Sequence, residues 1–313
     1  MVRPVALVTG GAGFIGSHLV DQLIIDGYQV RVVDDLRSGR LDNLHDALSS
    51  GNCEIIVEDL LNAEKIVEAM VDCELVAHFA ANADVRFGWQ HPRLDIEQNV
   101  LVTQNVLEAM RFTGARQLLF ASTGSVYGRA TRLPTQENEP FPIQTSLYGA
   151  SKVSAEALIA AYVEAEIIDA KIYRFVSVLG ARYSHGHVID FVEQLQSNSE
   201  RLRVLGNGYQ RKSYIHISDC ISAVMTTARL SSRLEIFNVG TDETCTVRDS
   251  LSWICRALSV NPFIEFGIDS RGWIGDNPHI HLDTTKLRSV GWKSIYTIRE
   301  AIDDTVRHLT RRR

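Results

Sequence analysis

The sequence has few cysteines and no long apolar run, and both absences exclude classes of protein. Its five cysteines are an odd number and include no CxxC pair, so neither a disulfide framework nor a zinc ribbon is expected. No apolar stretch approaches the ~20 residues that a membrane-spanning helix requires. The apolar stretch near the start is short and lacks a small-residue cleavage site, and we interpret it as the first strand. These features predict a cytoplasmic protein without a membrane partner.

Positive charge is not in excess either. Lysine and arginine together number 32 against 38 aspartates and glutamates, which gives a net charge of −6. This balance argues against a nucleic-acid-binding surface, and the three arginines at positions 311–313 are expected to form a solvated chain end. With 313 residues, 45% of them hydrophobic, the chain can form one large or two modest domains with an ample core.

A glycine-rich turn follows the first apolar run. Its glycines have the GxxGxxG spacing and are Gly10, Gly13 and Gly16. Because a strand pattern precedes the turn and a helix pattern follows it, backbone N–H groups can approach the diphosphate of a dinucleotide there. Asp34 ends the second strand pattern, where a carboxylate accepts hydrogen bonds from an adenosine ribose and repels a 2′-phosphate. The sequence therefore favours NAD over NADP, although Arg37 could pair with a 2′-phosphate.

Strand and helix patterns alternate through the first half of the chain and become irregular after it. Two long helical patterns cover residues 92–112 and 146–166, and a strand pattern at residues 234–240 returns to the sheet. The alternation predicts an α/β fold, a Rossmann-type doubly wound parallel sheet with a smaller, discontinuous α+β substrate lobe. We assign residues 1–175 and about 213–241 to the Rossmann domain, and residues 176–212 and 242–313 to the lobe.

A second cluster of residues indicates proton transfer. Tyr148 and Lys152 are four residues apart in a helical pattern, so their side chains share a helix face. A neighbouring ammonium favours the ionised form of a phenol, whose pKa is otherwise near 10, and so makes Tyr148 a candidate general base. Thr123 follows a buried strand pattern, where its hydroxyl can bond a substrate oxygen. An ordinary surface pair is the alternative reading of YxxxK.

Two His-X-His pairs have the spacing of metal ligands on one strand face. They are His185 with His187 and His279 with His281. No third ligand is in view and no HExxH motif accompanies them, so we predict that the protein holds no metal.

Several segments together resemble the extended short-chain dehydrogenase/reductase superfamily over nearly the whole chain. They are TGGAGFIGSH at positions 9–18, HFAAN at 78–82, STGSVYG at 122–128 and YGASK at 148–152. Within the superfamily, the NAD-dependent epimerase/dehydratase family and its UDP-galactose 4-epimerases are the most similar, because they carry segments like GNGxQRKSY at 206–214 and RGWxGD at 271–276.

The resemblance implies a set of residues for the cofactor and a set for the substrate. The catalytic residues that the resemblance implies are Thr123, Tyr148 and Lys152. The residues implied for NAD are Gly10, Gly13, Phe14, Ile15, Gly16, Asp34, Asp35, Leu36, Ser38, Gly39, Asp59, Leu60, Phe79, Ala80, Ala81, Asn99, Ser122, Tyr148 and Lys152. The residues implied for a nucleotide sugar are Ala83, Val85, Arg86, Thr123, Ser125, Ser177, His187, Val188, Val204, Lys212 and Arg271.

The resemblance also implies a reaction. A UDP-hexose 4-epimerase with retained NAD is expected, acting as a homodimer that pairs through the two long helices. Gly124 and Ser125 stand where family 4,6-dehydratases have Asp-Glu and where sugar-acid decarboxylases keep a glutamate, which argues against both reactions. A 4-ketoreductase and a non-catalytic NAD-binding regulatory protein remain alternatives. The chain departs from the family at Ser177, where asparagine is usual, and at Lys212, where arginine is usual.

Overall fold

Alternating apolar strands and amphipathic helices build one parallel sheet that is covered on both faces. The computed structural model describes residues 3–83, 85, 88–140 and 143–311. In the described residues the strands are β1 (Val5–Thr9), β2 (Gln29–Asp34), β3 (Cys53–Val57), β4 (Cys73–His78), β5 (Gln117–Thr123), β6 (Asp169–Phe175), β7 (Ser177–Leu179), β8 (Arg201–Val204), β9 (Arg211–Lys212), β10 (Tyr214–His216), β11 (Leu234–Val239), β12 (Cys245–Thr246), β13 (Phe263–Phe266) and β14 (His279–Ile280).

The helices follow the strands in the first half and cluster in the second. They are α1 (Phe14–Ile25), α2 (His45–Ser49), α3 (Ala63–Met70), α4 (Pro92–Asp95), α5 (Val102–Thr113), α6 (Leu147–Glu164), α7 (His187–Ser197), α8 (Ile217–Ala228), α9 (Val247–Leu258), α10 (Thr285–Ser289) and α11 (Ile298–Arg311). Short 3-10 helices cover Leu41–Leu44 and Gly124–Tyr127, and a π-helix covers Ile96–Leu101 between α4 and α5. Within the described ranges, every helix is too short or too polar to cross a membrane.

Seven strands form the sheet in the order β11-β6-β5-β4-β1-β2-β3. All six strand pairs are parallel, and the order reverses direction after β1, as in a doubly wound fold. Successive side chains of β1 enter opposite cores: Ala6 and Val8 pack on one face and Leu7 on the other. The predicted Rossmann-type sheet is confirmed, and β11 joins it beside β6 as expected.

The second half supplies small strand pairs outside the sheet. β7 pairs with β10, β8 with β13, and β9 with both β12 and β14. β7 follows β6 directly, and Ile280 of β14 lies beside Gly124, just past the carboxyl end of β5, where a parallel sheet binds ligands. All strands of these small pairs except β10 lie in the segments that the sequence analysis assigns to the lobe.

Candidate active site

The turn between β1 and α1 has no room for side chains. Gly10 has φ +69°, and a Cβ there would lie 2.6 Å from the backbone nitrogen of Ala80. A Cβ on Gly16 would collide with the carbonyl oxygen of Gly10. The glycines therefore let the turn pack closely against the loop after β4 and against the start of α1. A bare backbone at the positive N-terminal end of a helix suits a diphosphate.

Asp34 closes the same edge of the sheet. Its Oδ2 accepts the backbone N–H of Ala12 at 2.9 Å and its Oδ1 accepts that of Leu36 at 2.9 Å. Burial raises the Asp34 pKa, and these hydrogen bonds oppose the rise. Arg37, the possible partner of a 2′-phosphate, is instead paired with Asp35 at 3.2 Å and Asp59 at 3.3 Å. The residues present therefore fit NAD.

A cavity of about 330 Å³ adjoins this turn. Phe14, Ser38 and Gly39, which the resemblance assigns to NAD, line one side of it. Arg40 and Arg182 line it too and were not among the predicted residues. Arg182 comes from the loop after β7, so only the folded chain brings it to the turn, whereas Arg40 follows the predicted Ser38 and Gly39 directly and could have been suspected from its charge.

The remaining predicted cofactor residues lie in the segments that follow strands β1, β3 and β4. Phe79 and Ala80 follow β4, and both hydrogen-bond Thr9 at the end of β1. The Phe79 N–H donates to the Thr9 carbonyl at 3.1 Å, and the Ala80 N–H donates to the Thr9 hydroxyl at 3.3 Å. Ala81 continues this segment, Ile15 lies in the first turn of α1, and Leu60 is buried after β3.

Thr123 and Tyr148 meet at the end of β5. The Thr123 Oγ1 accepts the Ser125 N–H at 3.1 Å and so caps the 3-10 helix that follows. The same hydroxyl hydrogen-bonds the Tyr148 phenol. Tyr148 lies in the first turn of α6, which Ser146 caps by accepting the Gly149 N–H at 3.0 Å. The structure therefore brings this predicted pair together.

Burial, rather than a neighbouring cation, controls the Tyr148 phenol. Burial raises its pKa to about 12, the Thr123 hydrogen bond lowers it, and the charge of Asp95 raises it. We expected the Lys152 ammonium to lower this pKa, and that expectation was wrong for the protein chain by itself. The loss of water around the phenol is the largest cause of the rise in its pKa.

Lys152 lies deep in the same site. Its side chain is 2% exposed, and its Nζ donates to the Ala121 carbonyl at 2.8 Å. Burial lowers its pKa to about 7, and the Glu156 carboxylate opposes that change. Lys152 is thus not the exposed partner of a surface pair, and the ordinary reading of YxxxK is excluded.

Asn99 connects the loop after β4 to α6. It is 1% exposed and lies in the π-helix, a conformation that is frequent at functional sites. Its Nδ2 donates to the Ser151 hydroxyl at 2.9 Å and its Oδ1 accepts the Asn82 N–H at 2.9 Å. Ser151 in turn donates to the Tyr148 carbonyl at 2.8 Å. Asn99 therefore fixes the helix turn that carries Tyr148.

The lobe brings together two segments that the sequence singled out. Lys212 Nζ lies 2.7 Å from Asp276 Oδ1, and their side chains are 14% and 2% exposed. The ammonium also lies 4.8 Å from the centre of the Trp273 ring. Arg271, from the same segment as Trp273, is exposed. Lys212 is therefore already paired inside the lobe, while Arg271 is the accessible cation.

His187 also has a partner within the protein. Its Nε2 lies 2.7 Å from the Ser250 hydroxyl, and burial lowers its pKa to about 3. Val188 and Val204 are buried in the apolar core. These three residues therefore support the lobe with their side chains.

The other predicted substrate residues lie around the carboxyl edge of the sheet. Ala83 and Ser177 are exposed, and Val85 and Ser125 are half-buried. Arg86 lies outside the described residues. Within the described part of the chain, no group of three or more His, Cys, Asp or Glu side chains is arranged to hold a metal ion.

Comparison with known proteins identifies the family of the chain. The NAD dependent epimerase/dehydratase family matches residues 6–240. The chain is 32% identical to a UDP-glucose 4-epimerase of Mycolicibacterium smegmatis over 306 residues, 96% of each chain. A crystal structure of a UDP-galactose 4-epimerase is similar with a TM-score of 0.88 and 36% identity, covering 98% of this chain and 99% of the other. A UDP-glucose 4-epimerase of Thermus thermophilus in complex with NAD gives 0.86 and 31%, with the same coverage.

Proposed function

The chain belongs to the NAD dependent epimerase/dehydratase family, and on that premise we propose that it is an NAD-dependent nucleotide-sugar 4-epimerase of the UDP-glucose/UDP-galactose type. The observation that carries the proposal is the contact between Thr123 and Tyr148 beside the buried Lys152, at the edge of the sheet where the glycine turn also lies.

The surroundings of Thr123 separate epimerisation from related reactions. Gly124 faces Leu282, Ile280 and the Phe175 carbonyl, so this loop supplies no carboxylate next to Thr123. Removal of water between C5 and C6, or of a carboxyl group, needs such an additional acid or base. Reaction at C4 alone does not, and the site supports that reaction best.

Each side chain has a defined task in a reaction at C4. The Tyr148 oxygen takes the proton of the C4 hydroxyl, and Thr123 hydrogen-bonds the same substrate oxygen. Lys152 stabilises the phenolate with its charge, and this interaction is stronger in the buried site than it would be in water. Bound NAD would supply the hydride acceptor and donor for C4, and its positive charge would favour the phenolate. After the sugar has turned over, Tyr148 returns the proton to the opposite face.

The lobe is proposed to hold the nucleotide diphosphate. Arg271 is accessible and can pair with phosphate oxygens in a bidentate manner. Lys212 sits beside Asp276 and Trp273 and contributes positive charge from within. These cations suit a nucleotide-diphosphate sugar, and we favour a UDP-hexose because of the similarity to UDP-hexose epimerases.

The proposed enzyme is a homodimer. Ile96 and Leu101 are 54% and 46% exposed on the π-helix between α4 and α5, which packs against α6. Pairing of these helices with those of a second copy would bury both side chains. Sedimentation equilibrium should give the mass of a dimer, and a monomer at all concentrations would refute this part of the proposal.

Product analysis tests the function. Purified protein should be incubated with UDP-, GDP- and dTDP-hexoses and with UDP-glucuronic acid, without added cofactor, and the products identified by NMR. We expect inversion at C4 of a UDP-hexose, and a loss of activity of ~10²–10⁴-fold in Tyr148→Phe. Dehydrated or decarboxylated products, a strict need for added NADPH, or full activity of Y148F would each contradict the proposal.

A further inference from the structure

One turn beyond Lys152, helix α6 carries a buried glutamate that the reaction above does not use. Glu156 is 8% exposed, and two hydrogen bonds from Arg174 hold it. Arg174 Nε donates to Oε1 at 3.1 Å and Nη2 donates to Oε2 at 2.6 Å. A planar guanidinium in this geometry stabilises the carboxylate and fixes its direction.

The same glutamate is tied to the strand that carries Thr123. Ser122, which precedes Thr123 in β5, donates its hydroxyl to Glu156 Oε1. Arg174 Nη1 donates onward to the Tyr127 hydroxyl at 2.8 Å, and Tyr127 follows Thr123 in the 3-10 helix. The network therefore joins β5, β6 and α6 at the point where the catalytic side chains emerge.

The Lys152 ammonium has little other compensation for its burial. It donates to the Ala121 carbonyl at 2.8 Å and lies 4.7 Å from the centre of the Phe120 ring. A buried ammonium tends to lose its proton unless a negative charge is near. Lys152 follows this rule, since burial lowers its pKa to about 7.

Three charged or titratable groups act on Lys152 and Tyr148 from the elements packed around them. Asp95 on α4 raises the Tyr148 pKa. His78 on β4 is kept neutral by burial, with a pKa of about 3, and the Lys152 charge lowers that value further. Glu156 on α6 is the group whose charge raises the Lys152 pKa.

We propose that Glu156, held by Arg174 one turn beyond Lys152 on α6, is a positioning residue that keeps the Lys152 ammonium charged for proton exchange at Tyr148. The inference rests on the proposed function, because it gives the charge of Lys152 a role in that exchange. A glutamate that served only the stability of the fold would leave unchanged the pH at which Tyr148 loses its proton.

Glu156→Gln removes the charge and keeps the shape. We expect the acid limb of the pH profile of kcat/KM for C4 inversion to move to higher pH by about one unit, because a less charged Lys152 stabilises the phenolate less. NMR of isotope-labelled tyrosine in the NAD-bound protein should show the same upward shift for Tyr148. Glu164→Gln, an exposed position on the same helix, is the matched control and should leave both readouts at their wild-type values.

Glu156→Asp, which keeps the charge, should restore most of the wild-type profile. If E156Q does not fold, the double variant E156Q/R174M, which leaves no unpaired partner, replaces it and should shift the profile in the same direction by a smaller amount. A folded variant lacking the Glu156 charge whose pH profile and tyrosine titration match those of the wild type would overturn the proposal. A wild-type protein that inverts no sugar at C4 would refute the proposed function instead, while tyrosine NMR would still test the network.

Discussion

The cofactor end of the site is built from backbone, whereas the end proposed for the nucleotide sugar is built from paired side chains. At the first end, Gly10 and Gly16 carry no side chains in the turn, and the Asp34 carboxylate accepts a backbone N–H of that turn. At the second, Lys212 is already paired with Asp276 at 2.7 Å. Backbone recognition depends on short-range sequence, and so it is visible in one motif. Side-chain recognition depends on residues far apart in the chain, and so no single motif shows it.

The largest effect is expected from a substitution in the glycine turn, at the cofactor end. Gly16→Val would drive a side chain into the Gly10 carbonyl, and we expect complete loss of bound NAD, measured by chromatography of the nucleotide released from purified protein. Gly27→Ala is the control at the other end of α1. Gly27 has φ +94° with nothing within 4 Å of a Cβ, so alanine there should cost about 1–2 kcal/mol of stability and leave bound NAD unchanged. Equal NAD loss in both variants would contradict the comparison.

A smaller effect is expected at the paired end. Lys212→Met leaves Asp276 buried without its cation, which should lower the free energy of unfolding by about 3–5 kcal/mol. Chemical denaturation measures this loss, and bound NAD should remain as in the wild type. Arg201→Met, which removes the exposed pair with Glu265, should cause no measurable change in stability. Loss of bound NAD in K212M would show that the cofactor end depends on the Lys212–Asp276 pair.

The smallest effect per residue is the loss of stability in acid, to which one histidine in the sheet and one in the lobe contribute. Burial lowers the pKa of His78 in the sheet and of His187 in the lobe to about 3, so the unfolded chain binds more protons than the folded one between about pH 3 and 6.5. Stability should be full above pH 6.5 and fall as the pH drops, by about 2 kcal/mol per histidine at pH 5.

Denaturation at pH 7 and pH 5 measures that loss. His187→Asn should remove about half of the difference contributed by these two histidines. His45→Gln, at an exposed site, should leave the difference unchanged. An equal loss in the wild type and H187N would contradict the assignment to the lobe.

The sequence was informative where local pattern decides structure. The alternation of strands and helices predicted the sheet, and the spacing of Tyr148 and Lys152 predicted their shared helix. The helix predicted over residues 92–112 is present as α4, the π-helix and α5. The π-helix at Asn99 was not predicted, because the hydrogen bonds that Asn99 makes with Asn82 and Ser151 depend on the tertiary structure.

Properties that depend on burial could not be predicted. The phenol of Tyr148 was expected to ionise easily beside Lys152, yet its pKa rises to about 12, since the depth of the site follows from the whole fold. Likewise, Lys212 was predicted as a ligand for diphosphate, and only the folded lobe shows Asp276 beside it. A sequence pattern records which groups are present, and their energies depend on what surrounds them.

The most direct test of the account follows the hydrogen at C4. A UDP-hexose carrying deuterium at C4 should be converted by the purified protein in ordinary water with an excess of unlabelled NADH. If the protein is a 4-epimerase that retains its NAD, the C4-inverted product should keep its deuterium. Loss of the deuterium to the solvent or to the free nucleotide pool would contradict the account.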